Sequence, residues 1–144
     1  MNSLFPYDNI IIGVLIFIVG FCFHGVGQFI SIVNWELAER LGLQEAGLPA
    51  EYKVYEHAIA ISDSILGIFY GIAAVGLIFN FSWGYKLAWL PGSIFIYHSL
   101  NFWFWTKNRR KAGHIFESSA LRIGWFLANL LTGLLAITVA WKGY

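Results

Sequence analysis

The run NIIIGVLIFIVGFCFHGVGQFISIV, residues 9–33, decides the fold class because it is apolar over the length that a helix needs to cross a bilayer. About 20 apolar residues span the roughly 30 Å of hydrocarbon. Three further apolar runs follow in the chain, at residues 58–79, 85–105 and 120–141. The sequence therefore predicts an all-α membrane protein, a four-transmembrane-helix bundle that forms a single integral membrane domain over residues 1–144.

The composition agrees with a membrane protein. Hydrophobic residues make up 58% of the chain and charged residues 12%, against about 45–50% and about 25% in soluble domains. The formal net charge of +1 gives no reason to expect a nucleic-acid partner. The single cysteine, Cys22, excludes an intrachain disulfide and a cysteine-rich zinc site.

The connections contain further signals. Glu36 and Arg40 are spaced i,i+4, which favours a short amphipathic interfacial segment between helices 1 and 2 that continues helix 1 as far as Gly42. Pro49 is suited to the first residue of helix 2, where its missing N–H costs no hydrogen bond. The stretch from residue 80 to 84 is so short that helices 2 and 3 must be antiparallel neighbours. Pro91 and the following glycine are expected to kink or loosen helix 3.

Each predicted span contains an ionisable residue, and these residues are expected to lie in the same half of the membrane: His24, Asp63, His98 and Arg122. Such a residue costs roughly 2.5–3.5 kcal/mol in a membrane helix, so it normally faces the bundle interior and finds a partner. Helix 1 places His24 on a stripe of mostly small residues, and small residues let membrane helices approach closely. We therefore expect one shared interior site.

The first functional hypothesis is a pocket for a lipophilic small molecule, in which a histidine and a carboxylate also allow proton transfer. The catalytic candidates are His24, Asp63 and His98. The residues expected to line the ligand site are the polar and aromatic side chains on the inward faces: Gln28, Tyr70, Asn101, Trp105, Arg122, Trp125 and Asn129.

Other interpretations stay open. His24 and His98 could ligate a haem, or bind a metal ion together with Asp63 and Glu56. A structural interpretation makes Asp63 and Arg122 an intramembrane ion pair, with the amides and hydroxyls acting as hydrogen-bonding contacts between helices. A third class is a non-enzymatic accessory subunit of a larger membrane complex, or a homo-oligomer. The lipid bilayer is a partner in every case.

The basic residues predict the orientation. Of the nine lysines and arginines, only Lys86 and Lys142 belong to the side opposite the 1–2 and 3–4 connections. Positive residues concentrate on the cytoplasmic side of membrane proteins. Both termini are therefore expected on the non-cytoplasmic side, with the polar cluster in the cytoplasmic half.

A reporter fused to the C-terminus tests this orientation. A reporter that is active only in the cytoplasm is expected to be silent, because the basic connections hold the other face of the protein inside. Insertion of the same reporter after Lys111 gives the positive control. An active C-terminal fusion on the intact chain would reverse the predicted orientation.

Overall fold

A computed structural model describes residues 4–114 and 118–143, and within them all regular secondary structure is helical. The helices in chain order are α1 Asp8–Val33, α2 Trp35–Arg40, α3 Ala50–Ile78, α4 Ser82–Leu87, α5 Trp89–Lys111 and α6 Ser119–Lys142. Three of them, α1, α3 and α6, are long and apolar enough to cross a membrane. An all-helical protein with membrane-spanning character is thus confirmed, whereas a fourth span is not.

The third expected span, residues 85–105, differs most from its prediction. The structure divides this region into α4 and α5 at Ala88, and α5 continues to Lys111. Pro91 has no N–H to bond a carbonyl one turn earlier, so a break beside it has a simple physical cause and agrees with the expected kink. Because α5 includes His98 and ends in a basic cluster, it is less apolar than the other three long helices.

The region between α1 and α3 also departs from its prediction. Asn34 adopts an extended conformation that ends α1, and its side chain accepts a hydrogen bond from Leu37 N. The interfacial segment is therefore the separate helix α2, and Glu36 and Arg40 form the expected pair at 3.7 Å. Pro49 is the N-cap of α3 rather than its first residue. Part of the predicted 3–4 connection, residues 115–117, lies outside the described residues.

Helices α1 and α3 pack closely along their length because glycines face each other. The Cα of Gly25 lies against Gly67, so neither position has room for a side chain. Nearer the start of α1 in the same interface, Gly20 lies directly against the Tyr70 side chain. Close backbone approach through small residues is the usual means of association for membrane helices.

The middle of α1, Phe17–Gly27, is wound as a π-helix. A π-helix closes its hydrogen bonds between residues i and i+5, and such segments occur frequently at functional sites. This segment contains His24 together with Gly20 and Gly25, two of the glycines that face α3. The altered winding thus coincides with the part of α1 that carries the polar group.

Helices α5 and α6 form the second close pair. Gly92 and Gly133 face each other, and a Cβ built on Gly133 would lie 2.9 Å from the Gly92 carbonyl oxygen. Phe95 of α5 packs on His24 and Tyr70, which joins this pair to α1 and α3. Four long helices thereby enclose the side chain of His24.

A substitution that adds one methyl group at the glycine contact between α1 and α3 tests how close the two helices are. Gly67→Ala is expected to destabilise the protein by about 1–3 kcal/mol, because the new Cβ overlaps the Gly25 backbone. Gly124→Ala is the matched control, since a Cβ there meets nothing within 4 Å and alanine favours helix by up to about 1 kcal/mol. Unfolding of both variants in detergent measures the difference. Equal stability of the two variants would contradict the close contact.

Candidate functional site

His24 lies at the centre of the bundle, with 2% of its surface exposed. Its Nδ1 is 2.9 Å from Asp63 Oδ2 on α3, and its Nε2 is 2.8 Å from Asn129 Oδ1 on α6. The Asn129 side-chain amide donates to the Trp125 carbonyl at 3.0 Å. One imidazole thus joins three helices, and both of its nitrogens have partners.

The hydrogen bonds of Asn129 fix the position of one proton. Because its NH₂ group donates to a carbonyl, its Oδ1 must face His24, and an amide oxygen can only accept. His24 Nε2 therefore carries a hydrogen. A second proton lies on the line between Nδ1 and Asp63 Oδ2, whether an imidazolium donates it to a carboxylate or a carboxyl group donates it to a neutral ring. The pair is a site where a proton is held in an apolar interior.

His98 extends this cluster toward a cavity. Its ring is edge-on to His24, with 4.5 Å between the ring centroids. One ligand atom from each of His24, Asp63 and His98 can be chosen so that all three lie within 4.8 Å of one another. No described residue makes a hydrogen bond to the His98 ring. Its polar atoms are thus available to a molecule that binds beside it.

The hydroxyl of Tyr70 is a second polar group without a partner. Tyr70 is fully buried, and its Oη makes no hydrogen bond with the described residues. Tyr70 lies two helical turns after Asp63 on α3, and its ring is edge-on to His24 at 6.3 Å. A buried hydroxyl normally has a hydrogen-bond partner, so this one is an unsatisfied polar group in the core beside His24.

A cavity of about 560 Å³ lies beside His98, between the long helices and the segment that follows α2, residues 41–49. Its volume lies in the range of about 300–1,000 Å³ that is typical of small-molecule sites. Most of its wall is apolar, and the side chains that form this apolar part include Phe23, Leu43, Leu48, Ile59, Phe102 and Leu121. His98 belongs to the wall, whereas His24 and Asp63 lie behind it.

Hydrogen bonds and an ion pair fix the segment after α2 in its position beside the cavity. Gln44 donates to Gln28 at 2.9 Å and to Ser31 at 3.1 Å. Arg109, which is 5% exposed, donates to Glu45 at 2.7 Å. These bonds tie the segment to both α1 and α5, so it forms one wall of the cavity.

The seven predicted ligand-site residues lie in three places: the cavity wall, the core around His24 and, for Arg122 alone, the contact between α5 and α6. Four of them line the cavity: Gln28, Asn101, Trp105 and Trp125. Two of them, Tyr70 and Asn129, lie in the core around His24 and not in the cavity wall.

Arg122 is the exception, and the proposed Asp63–Arg122 ion pair is wrong. Arg122 donates through Nε to Thr106 at 2.6 Å, and its guanidinium lies 3.8 Å from the centre of the Trp103 ring. Asp63 bonds His24 instead. A shared half of the membrane, which is all that position along each helix predicts, does not show which helix faces meet.

Sequence reasoning missed the polar side of the cavity. Glu45 and Gln44 lie in a connection without periodicity, so no pattern pointed to them. Arg109 was interpreted only as part of the basic cluster that sets orientation. Glu56 lines the cavity, although the sequence analysis named it only as an additional metal ligand.

The bond between His24 and Asn129 gives a stability prediction. Asn129→Ala is expected to destabilise the protein by about 1–3 kcal/mol, because it leaves the buried Nε2–H without an acceptor. Thr138→Ala on the same helix is the control, since its exposed hydroxyl bonds only the local carbonyl of Leu134. Thermal unfolding in detergent compares the two. A loss in Asn129→Ala no larger than in Thr138→Ala would show that the bond contributes little.

Comparison with family models, curated proteins and solved structures gives no match in any of the three. The function is therefore inferred from the site itself.

Proposed function

We propose that this membrane protein binds a lipophilic small molecule in the cavity, where the molecule contacts His98. The main support is the position of His98, which is in the wall of a cavity of about 560 Å³ and also against the ring of the buried His24. A largely apolar pocket with a few convergent polar groups is the usual form of a small-molecule site.

The proposal includes α5 as a fourth membrane span. Its 23 residues extend about 34 Å at 1.5 Å per residue, which matches the hydrocarbon thickness. Its close contact with α6 at Gly92 and Gly133 supports an antiparallel pair. Its polar side chains His98 and Asn101 line the cavity, so part of its lower hydropathy comes from groups that face the cavity.

The cavity lies in the half of the bundle that the basic residues assign to the cytoplasm. Its lining includes residues of the segment after α2 and of the C-terminal half of α5. With both termini on the other side of the membrane, the polar end of the cavity is near the cytoplasmic headgroups and its apolar wall lies within the bilayer. A lipophilic molecule can then reach it by partitioning from the membrane.

The same arrangement supports acid/base chemistry on the ligand. His98 is the member of the cluster that reaches both the cavity and His24. In a proton-transfer step the proton moves between a ligand atom and His98, whose ring is held against the adjacent His24–Asp63 pair. His24 and Asp63 are then positioning residues, since neither lines the cavity.

A metal ion is the second candidate, favoured by the 4.8 Å grouping of His24, Asp63 and His98. Two imidazoles and one carboxylate suit a transition metal such as Zn²⁺ or Fe²⁺. Asn129 would orient His24 through Nε2, as hydrogen-bonded neighbours orient metal ligands elsewhere. Haem fits less well, because the edge-to-face contact of the two rings at 4.5 Å leaves no space for a porphyrin between them.

Filling the cavity tests ligand binding. Ile59→Trp places a large side chain in the cavity wall, so lipophilic molecules that copurify, and binding of a fluorescent fatty-alcohol probe, are expected to fall at least about tenfold. Ile61→Trp is the matched control, because Ile61 lies two residues further on α3 and is 43% exposed on the outer face. Mass spectrometry of organic extracts and a probe titration provide the two readouts.

Two outcomes would contradict the proposal. Equal ligand content in Ile59→Trp and Ile61→Trp would show that the cavity is not the binding site. A purified protein with about one transition-metal ion per chain, lost in His98→Ala, would support the metal site instead. Elemental analysis of the same samples supplies this second measurement.

A further inference from the structure

The acidic residues and the arginine in the described cavity wall are Glu45, Glu56 and Arg109. Arg109 and Glu45 form an ion pair at 2.7 Å, and this pair is neutral as a unit. Two carboxylates and one guanidinium leave a net charge of −1. The unbalanced charge belongs to Glu56.

Glu56 has no short-range partner among the described residues. Arg109 acts on it electrostatically, but no described residue makes a hydrogen bond or ion pair to its carboxylate. Glu56 is half-buried. A carboxylate that is partly removed from water is costly until a donor or a cation approaches it, so a positive group in the cavity would stabilise Glu56.

Aromatic rings line the cavity together with this carboxylate. Tyr55 and Trp105 both belong to the wall, and their ring centroids are 5.1 Å apart with the planes tilted by 39°. An ammonium group is attracted to the faces of tyrosine and tryptophan, and most strongly where water is excluded.

We infer that the molecule in the cavity is a lipophilic amine. Its ammonium group pairs with Glu56 against the rings of Tyr55 and Trp105, its apolar body extends past Ile59, and the atom that exchanges a proton with His98 lies at its other end. Glu56 and Asp63 are seven residues apart on α3, or about 10 Å along the helix. The inference rests on the proposed function, because it specifies the class of ligand for the same cavity.

Three amphiphiles with one chain length test the charge of the head group: dodecylamine, dodecanol and dodecanoate. In a non-ionic detergent, titration calorimetry on the intact protein is expected to give about tenfold tighter binding for dodecylamine than for dodecanol, with dodecanoate the weakest. A tenfold ratio corresponds to about 1.4 kcal/mol. Glu56→Gln is expected to reduce the amine-to-alcohol ratio to about one.

Two variants control for altered charge and altered folding. Glu51→Gln changes the same charge on an exposed residue of α3 and is expected to keep the tenfold ratio. Glu56→Asp keeps the carboxylate and is expected to retain a preference for the amine. An unchanged ratio in Glu56→Gln, or tightest binding of dodecanoate, would overturn the inference and leave the proposed function in place. Failure of all three amphiphiles to bind would instead contradict the proposed function.

Discussion

The structure depends on one constraint, which is that a polar group inside an apolar bundle must have its hydrogen bonds satisfied there. His24 meets this constraint by bonding Asp63 through one ring nitrogen and Asn129 through the other. Since these residues lie on three helices, the bonds fix how α1, α3 and α6 are positioned. Glycine contacts such as Gly25 against Gly67 give the helices the close approach that such short bonds require.

Helix α5 differs from the other three long helices in composition and in what its side chains contact. Helix α5 is the least apolar of the four, and its His98 and Trp105 contribute to the cavity wall rather than to close packing alone. The side chains that hold the core together are thereby largely separate from those that line the cavity. The His24 network closes the core, while His98 touches that core on one side and the cavity on the other. A bound molecule would thus contact the polar core through a single side chain.

Several features of this arrangement were predictable from sequence because they follow from helical periodicity. The small-residue stripe of α1 correctly placed His24 in the interior, and the position of each ionisable residue along its helix correctly brought His24, Asp63 and His98 together. The same reasoning failed for Arg122, because the direction of a long side chain depends on neighbours such as Thr106. The segment that carries Glu45 has no periodic pattern, so its position across the cavity could not be foreseen.

The most direct test is an experimental density map of the protein purified in a mild detergent with the molecules that it retains from its membrane. Our interpretation predicts density for a small molecule inside the cavity, within hydrogen-bonding distance of His98, while His24 remains bonded to Asp63 and Asn129. An empty cavity, or a His98 ring turned away from it, would contradict the assignment of this cavity as the functional site.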